Sequence, residues 1–139
     1  MRRQFLHVVL LCCALLLAGC PKSASKGTAL QQAQYDYSAA IRWGDFEGAW
    51  TLVDPEVREQ KPLTDVDFSR YKQVQVSGYR DRAMSTDADG ALVRDIEIGV
   101  INRNTLQERT IRYQERWRYD EAAKRWWLVS GLPDLWQGE

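Results

Sequence analysis

TIRYQERWRY, residues 110–119, alternates between two kinds of side chain along its whole length. Odd-numbered positions are apolar or aromatic with one carboxylate among them, and even-numbered positions are polar or cationic. The odd set is Ile111, Tyr113, Glu115, Trp117 and Tyr119, and the even set is Thr110, Arg112, Gln114, Arg116 and Arg118. A period of two is typical of a strand that covers a core with one face. The stretch therefore predicts a strand of an antiparallel sheet packed over aromatic side chains.

Similar alternation on either side of this stretch predicts three more strands. The expected strands begin at Val74, Leu92, Thr110 and Trp126, and turns or loops at 87–90, 102–104 and 120–124 separate them. The sequence DADG at the first turn and NRN at the second are rich in residues that favour turns. Three hairpins in succession predict a four-stranded antiparallel meander.

Helical spacing of apolar residues replaces this alternation in the first half of the chain. The pattern predicts a helix from Thr28 to Trp43, capped by Thr28, and a short helical stripe over residues 46–53. Residues 56–63 are polar and irregular, and Thr64 can cap a third short helix. Helices that precede a meander predict an α+β fold with the helices packed on one face of the sheet.

Tryptophan side chains are expected to supply much of the core. Trp43, Trp50, Trp117 and Trp127 are predicted to pack inside, with Trp127 directly opposite Trp117 in the last hairpin. Trp126 then falls on the opposite face of the sheet, beside the arginines of the even set.

The N-terminal 20 residues have a different pattern. Arg2 and Arg3 precede an apolar run from Phe5 to Leu17, which is followed by small residues and a cysteine. A basic start, a short apolar run and small residues before a cut describe a secretory signal peptide, here residues 1–19. The alternative is an uncleaved membrane anchor, but the run is shorter than the roughly 20 apolar residues that span a bilayer.

Leu17-Ala18-Gly19-Cys20 closely resembles the lipobox of bacterial lipoproteins. The resemblance implies that Cys20 carries a lipid and begins the mature chain. It also implies a location in the cell envelope, lipid-anchored and facing the periplasm, with the membrane as a partner through the anchor. Residues 20–27 are then the lipidated cysteine and a flexible tether, and residues 28–139 form a single α+β domain.

Two details of export remain alternatives. Arg2-Arg3-Gln4-Phe5-Leu6 resembles a twin-arginine export signal, although basic starts are usual in signal peptides and favour ordinary Sec export. Pro21 in place of aspartate favours the outer membrane, whereas Lys22-Ser23 resembles a signal for retention in the inner membrane.

Cleavage before Cys20 excludes several classes of chemistry. The 120 residues that follow hold no histidine, and no cysteine except the acylated one. A cysteine nucleophile, a histidine base, a Ser-His-Asp triad, a disulfide and an ordinary zinc site all lack their side chains. We therefore expect no metal and no cofactor. With 17 basic against 19 acidic side chains, the mature chain is also not expected to bind nucleic acid.

The order of helices and strands resembles that of the NTF2-like, cystatin-related cone fold. The resemblance rests on AAIRWGDFEGAWTLVDP in the helical half and YQERWRYDEAAKRWWLVSG in the last hairpin, and covers about residues 28–132. It implies a long curved sheet that wraps the N-terminal helix and leaves a pocket.

Glu115 is the odd member of an otherwise apolar face, and it identifies a candidate pocket. A buried carboxylate needs a charged or hydrogen-bonding partner. Arg80, Arg82 and Arg94 share the apolar-side parity of their strands and are the expected partners, and Tyr113 lies on the same face as Glu115. A structural ion pair near the end of the sheet is the alternative to a small-ligand site.

The opposite face of the same strand is a candidate interaction surface. It comprises Arg112, Arg116, Arg118 and Trp126. Tryptophan and arginine are enriched in binding hot spots. The alternatives are a solvated face whose arginines pair with acids, and an arginine-rich strand that protects a sheet edge.

These observations leave three function classes. The first is a membrane-tethered, non-enzymatic interaction or assembly module with an envelope protein as its partner. The second is a small-ligand binder that uses the pocket of the cone. The third is a histidine-free enzyme, because cone-fold enzymes resembling ketosteroid isomerase use a carboxylate base and a tyrosine, and only Glu115 and Tyr113 fit those roles.

The lipobox predicts the effect of replacing Cys20. Serine has no thiol to receive the lipid, so Cys20→Ser should abolish lipid attachment and impair cleavage. Metabolic labelling with a fatty-acid analogue checks this. Absence of label from the wild-type protein would show that the chain is not a lipoprotein.

Overall fold

The structure, a computed structural model, describes residues 25–138. Four helices precede four strands. The helices are α1 (Lys26–Trp43), α2 (Phe46–Trp50), α3 (Pro55–Gln60) and α4 (Asp65–Tyr71). The strands are β1 (Val74–Thr86), β2 (Leu92–Asn102), β3 (Glu108–Asp120) and β4 (Arg125–Leu128). The signal peptide, Cys20 and residues 21–24 of the expected tether lie outside the described residues.

The four strands form one open, curved sheet in the order β1-β2-β3-β4, with every neighbouring pair antiparallel. The α+β class and the four-stranded meander predicted from the sequence are confirmed. We call the face of the sheet that packs on α1 the inner face, and the opposite face the outer face. Within residues 25–138, no helix is long and apolar enough to cross a membrane.

Helix α1 begins earlier than the sequence predicts. Ser25, rather than Thr28, is the N-cap, and its side chain accepts a hydrogen bond from the Thr28 amide. Lys26 and Gly27, expected in the tether, are therefore helical. The helix ends at Trp43 and is capped by Gly44, whose φ of 75° is the left-handed conformation that glycine adopts without strain.

The expectation of irregular chain over 56–63 is wrong for residues 56–60, which are helical. Asp54 caps α3 by accepting a hydrogen bond from the Glu56 amide, and Pro55 occupies the first helical position, where its missing N–H is not needed. Helix α4 begins as predicted, because Thr64 and Asp67 form a reciprocal capping box.

Two irregularities in β1 change which of its side chains face the core. The β1–β2 register shifts between Val76 and Gly78 and again between Asp81 and Ala83. After the first shift Tyr79 stands opposite Ile98 on the inner face, and Arg80 stands opposite Glu97 on the outer face. The prediction that Arg80 and Arg82 share the apolar side is therefore wrong, because a bulge reverses the alternation.

The last hairpin is displaced by one residue from the predicted register. Trp117 lies opposite Leu128, whereas Trp127 lies opposite Arg118 and Trp126 opposite Tyr119. The strand begins at Arg125, after a turn in which Lys124 has a φ of 53°. A shift of one residue exchanges the two faces, so Trp126 packs on the inner side and Trp127 lies on the outer side, where its side chain is nevertheless buried as predicted. There the Arg125 guanidinium covers the Trp127 ring at 3.9 Å from its centroid.

The core lies between α1, α2 and the inner face of the sheet. Its fully buried side chains include Tyr37, Ile41, Ile98, Trp117 and Leu128. Trp50 is partly buried against this cluster. The sequence predicts Trp43 inside, but it is 87% exposed, because it occupies the last residue of α1.

The sequence predicts that the last strand runs from Trp126 to Leu132, but β4 ends at Leu128, and the segment that follows also closes the core. Leu135 is fully buried, and the Tyr71 hydroxyl donates to the Pro133 carbonyl at 3.0 Å. Burial raises the pKa of Tyr71 to about 12, so its hydroxyl stays a donor at neutral pH. The ring of Trp136 packs edge-on against Tyr71, with 5.0 Å between centroids.

The first bulge predicts opposite responses at two facing glycines. A Cβ at Gly99 would lie 2.5 Å from the Ser77 Oγ and 3.3 Å from the Gly78 nitrogen, whereas a Cβ at Gly78 would meet nothing within 4 Å. Gly99→Ala should lower the free energy of unfolding by about 1–3 kcal/mol through overpacking. Gly78→Ala should change it by less than about 0.5 kcal/mol. Urea unfolding followed by tryptophan fluorescence measures both, and equal effects would contradict this account of the bulge.

Candidate functional site

The carboxylate of Glu115 lies at the centre of a buried polar cluster. The Glu115 side chain has no exposed surface. Its Oε1 accepts a hydrogen bond from the Tyr79 hydroxyl. Its Oε2 accepts from the Trp117 indole Nε1 at 2.7 Å and from the Arg94 Nη1 at 3.1 Å. Both oxygens are thus satisfied by donors from β1, β2 and β3.

Arg94 connects this buried carboxylate to the surface. Its Nε and Nη2 lie 3.0 and 2.8 Å from the Oδ2 of Asp81, and its side chain is only 11% exposed. The Asp81 side chain is 44% exposed. The Arg94 guanidinium therefore lies between two carboxylates, that of Glu115 in the interior and that of Asp81 at the edge of the sheet.

A pair of tyrosines adjoins the cluster without joining it. The hydroxyls of Tyr37 and Tyr113 are 2.9 Å apart, and the Tyr113 hydroxyl donates to the Gly131 carbonyl at 2.7 Å. The Tyr37 ring meets Trp117 edge-on, with 5.9 Å between centroids. No hydrogen bond links Tyr113 to Glu115 in the described chain. Glu115 and Tyr113, proposed from the sequence as a base and a donor, therefore do not form a hydrogen-bonded pair.

Burial dominates the protonation of these groups. It raises the pKa of Glu115, while the hydrogen bonds from Tyr79 and Trp117 and the charge of Arg94 act in the opposite direction. Burial also raises the pKa of Tyr37, Tyr79 and Tyr113, so all three hydroxyls stay protonated at neutral pH. They serve as hydrogen-bond donors, and the arrangement is that of a satisfied structural network.

Of the five predicted pocket residues, the structure brings together Glu115 and Arg94, with Tyr113 nearby. Arg80 and Arg82 lie on the outer face, where both approach Glu97. Sequence reasoning missed Tyr79 and the indole nitrogen of Trp117. Gly78 and Gly99 could have indicated the bulge that turns Tyr79 inward, because glycine within a strand often marks one.

The predicted interaction residues meet at a groove between α3 and the β1–β2 turn, which we call the α3 groove. Its volume is about 470 Å³. Arg116, Arg118 and Trp126 line it, together with apolar and acidic side chains. The apolar and acidic lining side chains include Asp54, Glu56, Val57, Asp89, Tyr119 and Val129. Arg112 does not reach it, because Arg112 stands opposite Glu97 in the middle of the sheet.

Both arginines of the α3 groove are already paired. Arg116 bonds Asp87 and, at 2.8 Å, Asp89. Arg118 bonds Asp54, whose side chain is 3% exposed. With Glu56, four carboxylates face two guanidinium groups here. The groove therefore presents ion-paired arginines in a slightly acidic setting.

Trp126 and Tyr119 form the end of the groove nearest the start of α1. Their rings pack edge-on with 5.2 Å between centroids. The Trp126 Nε1 donates to the Lys26 carbonyl at 2.9 Å, and the Lys26 ammonium lies 4.4 Å from the centroid of Tyr119. Residues 25–138 contain no group of three or more metal-ligating side chains.

Comparison with known proteins shows similarity at the level of fold. The sequence matches no described protein family and no curated protein. The solved structure of a SEC-C motif containing protein from Psychrobacter arcticus superposes with a TM-score of 0.52 at 10% identity. The match covers 80% of this chain and 64% of that one, so this chain spans less than two thirds of that protein's length. At this identity the similarity indicates a related fold and carries no activity.

The cluster predicts that two arginines of neighbouring strands contribute very differently to stability. Arg94→Met leaves Glu115 buried without its cation, and should lower the free energy of unfolding by about 3 kcal/mol or more. Arg80→Met removes an exposed side chain 3.8 Å from Glu97 and should have no measurable effect. Urea unfolding of both variants provides the comparison. Similar stabilities would contradict the structural role assigned to Arg94.

Proposed function

We propose that this protein is a membrane-tethered, non-enzymatic interaction module of the bacterial cell envelope, and that the α3 groove contacts its protein partner. The observation that carries the proposal is the convergence of Arg116, Arg118 and Trp126 at one groove. Arginine held by ion pairs and a tryptophan with its indole nitrogen satisfied lose little conformational entropy on binding. Such a preorganised surface suits recognition of another protein.

The lipid anchor, which is inferred from the lipobox, supports a partner close to the membrane. Helix α1 begins at Lys26, so only residues 21–25 separate it from Cys20. Five extended residues reach about 18 Å at most. Lys26 contacts Trp126 and Tyr119 at the end of the α3 groove. A tethered domain would therefore hold this groove beside the membrane surface, within reach of an envelope protein.

Ligand binding in the interior has less support. The oxygens of Glu115 are filled by Tyr79, Arg94 and Trp117, and a ligand there would have to displace one of these donors. The same packing leaves Glu115 without access to a substrate as a base. The interior network is better explained as part of the fold.

We also propose that the architecture is the NTF2-like cone. Support comes from α1, which packs on the inner face of a curved sheet, and from the C-terminal segment that closes the same side. In this protein aromatic side chains and the Glu115 cluster fill the space that a pocket would take.

Site-specific photo-cross-linking in living cells tests the proposed interaction. A photoreactive amino acid replaces Glu56, which is exposed in the α3 groove, and in a matched control replaces Val66, which is 77% exposed on α4. The Glu56 position should give a discrete adduct with an envelope protein that the Val66 position does not give. The adduct should disappear with Cys20→Ser, because the domain is then untethered. Identical adducts at both positions, or none at Glu56, would contradict the proposal.

A further inference from the structure

Strand β3 is much longer than β4, the strand that pairs with it on the side away from β2. β3 has 13 residues and β4 has four. β4 pairs only with residues 117–120. Beyond it, the Val129 amide donates to the Arg116 carbonyl at 2.8 Å, and the Arg116 amide donates to the Ser130 Oγ at 3.2 Å. The chain then leaves the edge at Gly131, whose φ is 75°.

In the described part of the chain, the backbone of β3 continues past this point without a partner strand on that side. The β2–β3 register runs without a break from Leu92↔Trp117 to Ile101↔Glu108. In an antiparallel ladder, alternate residues direct both N–H and C=O to the same neighbour. Arg116 directs its groups toward β4, so Thr110, Arg112 and Gln114 direct theirs to the same side. Within residues 25–138 no strand pairs with them there.

The side chains at this edge are exposed and carry surplus positive charge. Thr110, Arg112 and Gln114 are all exposed. Arg112 stands opposite Glu97, but both oxygens of Glu97 are bonded by Arg82, at 2.8 and 3.2 Å, and Arg80 lies 3.8 Å away. Three guanidinium groups thus surround one carboxylate. The neighbouring Asp95 accepts a hydrogen bond from Gln114 at 2.9 Å.

We propose that residues 110–114 of β3, here called the open edge, bind an extended segment of a partner protein that carries acidic side chains. The segment would continue the sheet where β4 stops, with main-chain hydrogen bonds to Thr110, Arg112 and Gln114 and a carboxylate at Arg112. Strand addition of this kind obtains affinity from the backbone and specificity from alternate side chains. The site is separate from the α3 groove, so it does not depend on that surface or on the lipid anchor.

A second copy of this chain fits the open edge less well. Antiparallel self-pairing about the middle of the edge would place Arg112 opposite the same residue of the other copy, and like charges directly opposite destabilise a sheet. The other sheet edge, β1, is also less suitable, because it has two register shifts, and bulges hinder the pairing of further strands.

Binding of two synthetic peptides to the full chain in detergent tests the proposal. One peptide has the sequence TVEVEVT, and the other, TVKVKVT, reverses its charges. The acidic peptide should bind at least tenfold more tightly and should slow hydrogen exchange at the amides of Thr110 and Arg112. Arg112→Gln should weaken its binding about tenfold, which corresponds to about 1.4 kcal/mol. Equal binding of the two peptides, or no protection of those amides, would overturn the proposal.

Proline at the edge separates backbone pairing from side-chain effects. Thr110→Pro removes an amide that faces away from β2, a position where sheets tolerate proline, and should abolish binding. Thr110→Val keeps the amide and should bind as the wild type does. Equal binding by the two variants would contradict strand addition. So would self-association of the chain without peptide, if it already protects the edge amides from exchange. If circular dichroism shows that Thr110→Pro is unfolded, the proposal is tested by the protection of the edge amides and by the peptide affinity of Arg112→Gln. Cross-linking from Glu56 reports on the α3 groove independently.

Discussion

The buried carboxylate of Glu115 is the constraint on which the arrangement of the long strands depends. A charge with no exposed surface loses its hydration, a penalty of several kcal/mol unless other donors replace the water. Here the donors are Tyr79 on β1, Arg94 on β2 and Trp117 on β3. They converge only when all three strands hold one register. We infer that the network disfavours slipped registers, since a slip would leave the carboxylate without partners.

That convergence depends in turn on a local irregularity. Without the register shift between Val76 and Gly78, the side chain of Tyr79 would point to the outer face. Gly99 lies opposite Gly78, and the absence of its Cβ leaves room for Ser77 and the bulged backbone. The same shift places Asp81 on the side of Arg94, so the exposed end of the ion network depends on it as well. Gly99 therefore helps to position Tyr79, the partner of Glu115, and Asp81, the partner of Arg94, although it contacts neither charged group.

Sequence reasoning succeeds where the alternation is unbroken. The faces of β3 can be predicted from residues 110–119 because no bulge interrupts them, and Arg94 and Glu115 pair because they lie opposite each other in an unbroken register. The capping box at Thr64 is similarly local. Prediction fails where a single residue reverses the parity of the rest of a strand. The bulge in β1 moves Arg80 and Arg82 outward.

The last hairpin and the chain ends illustrate the same limit. Because β4 pairs one residue away from the predicted register, Trp126 and Trp127 lie on the faces opposite to those predicted. Trp43 keeps the helical period but lies at the end of α1, where the core no longer covers it. The segment containing Leu135 has no period at all, so only its tertiary contacts reveal that it closes the core.

The distribution of satisfied and unsatisfied polar groups bears on the recognition role that we propose. Inside the fold, each oxygen of Glu115 has its donor and the Tyr113 hydroxyl has its acceptor, so a ligand would have to break existing bonds before it made new ones. On the outer side, Arg112 stands opposite a carboxylate that two other arginines already approach, and within residues 25–138 no strand pairs with the adjoining edge. A partner that binds there adds hydrogen bonds and disturbs none. The cost of binding is therefore lower at the outer face and the strand edge than in the interior, which is the physical basis of the protein recognition that we propose.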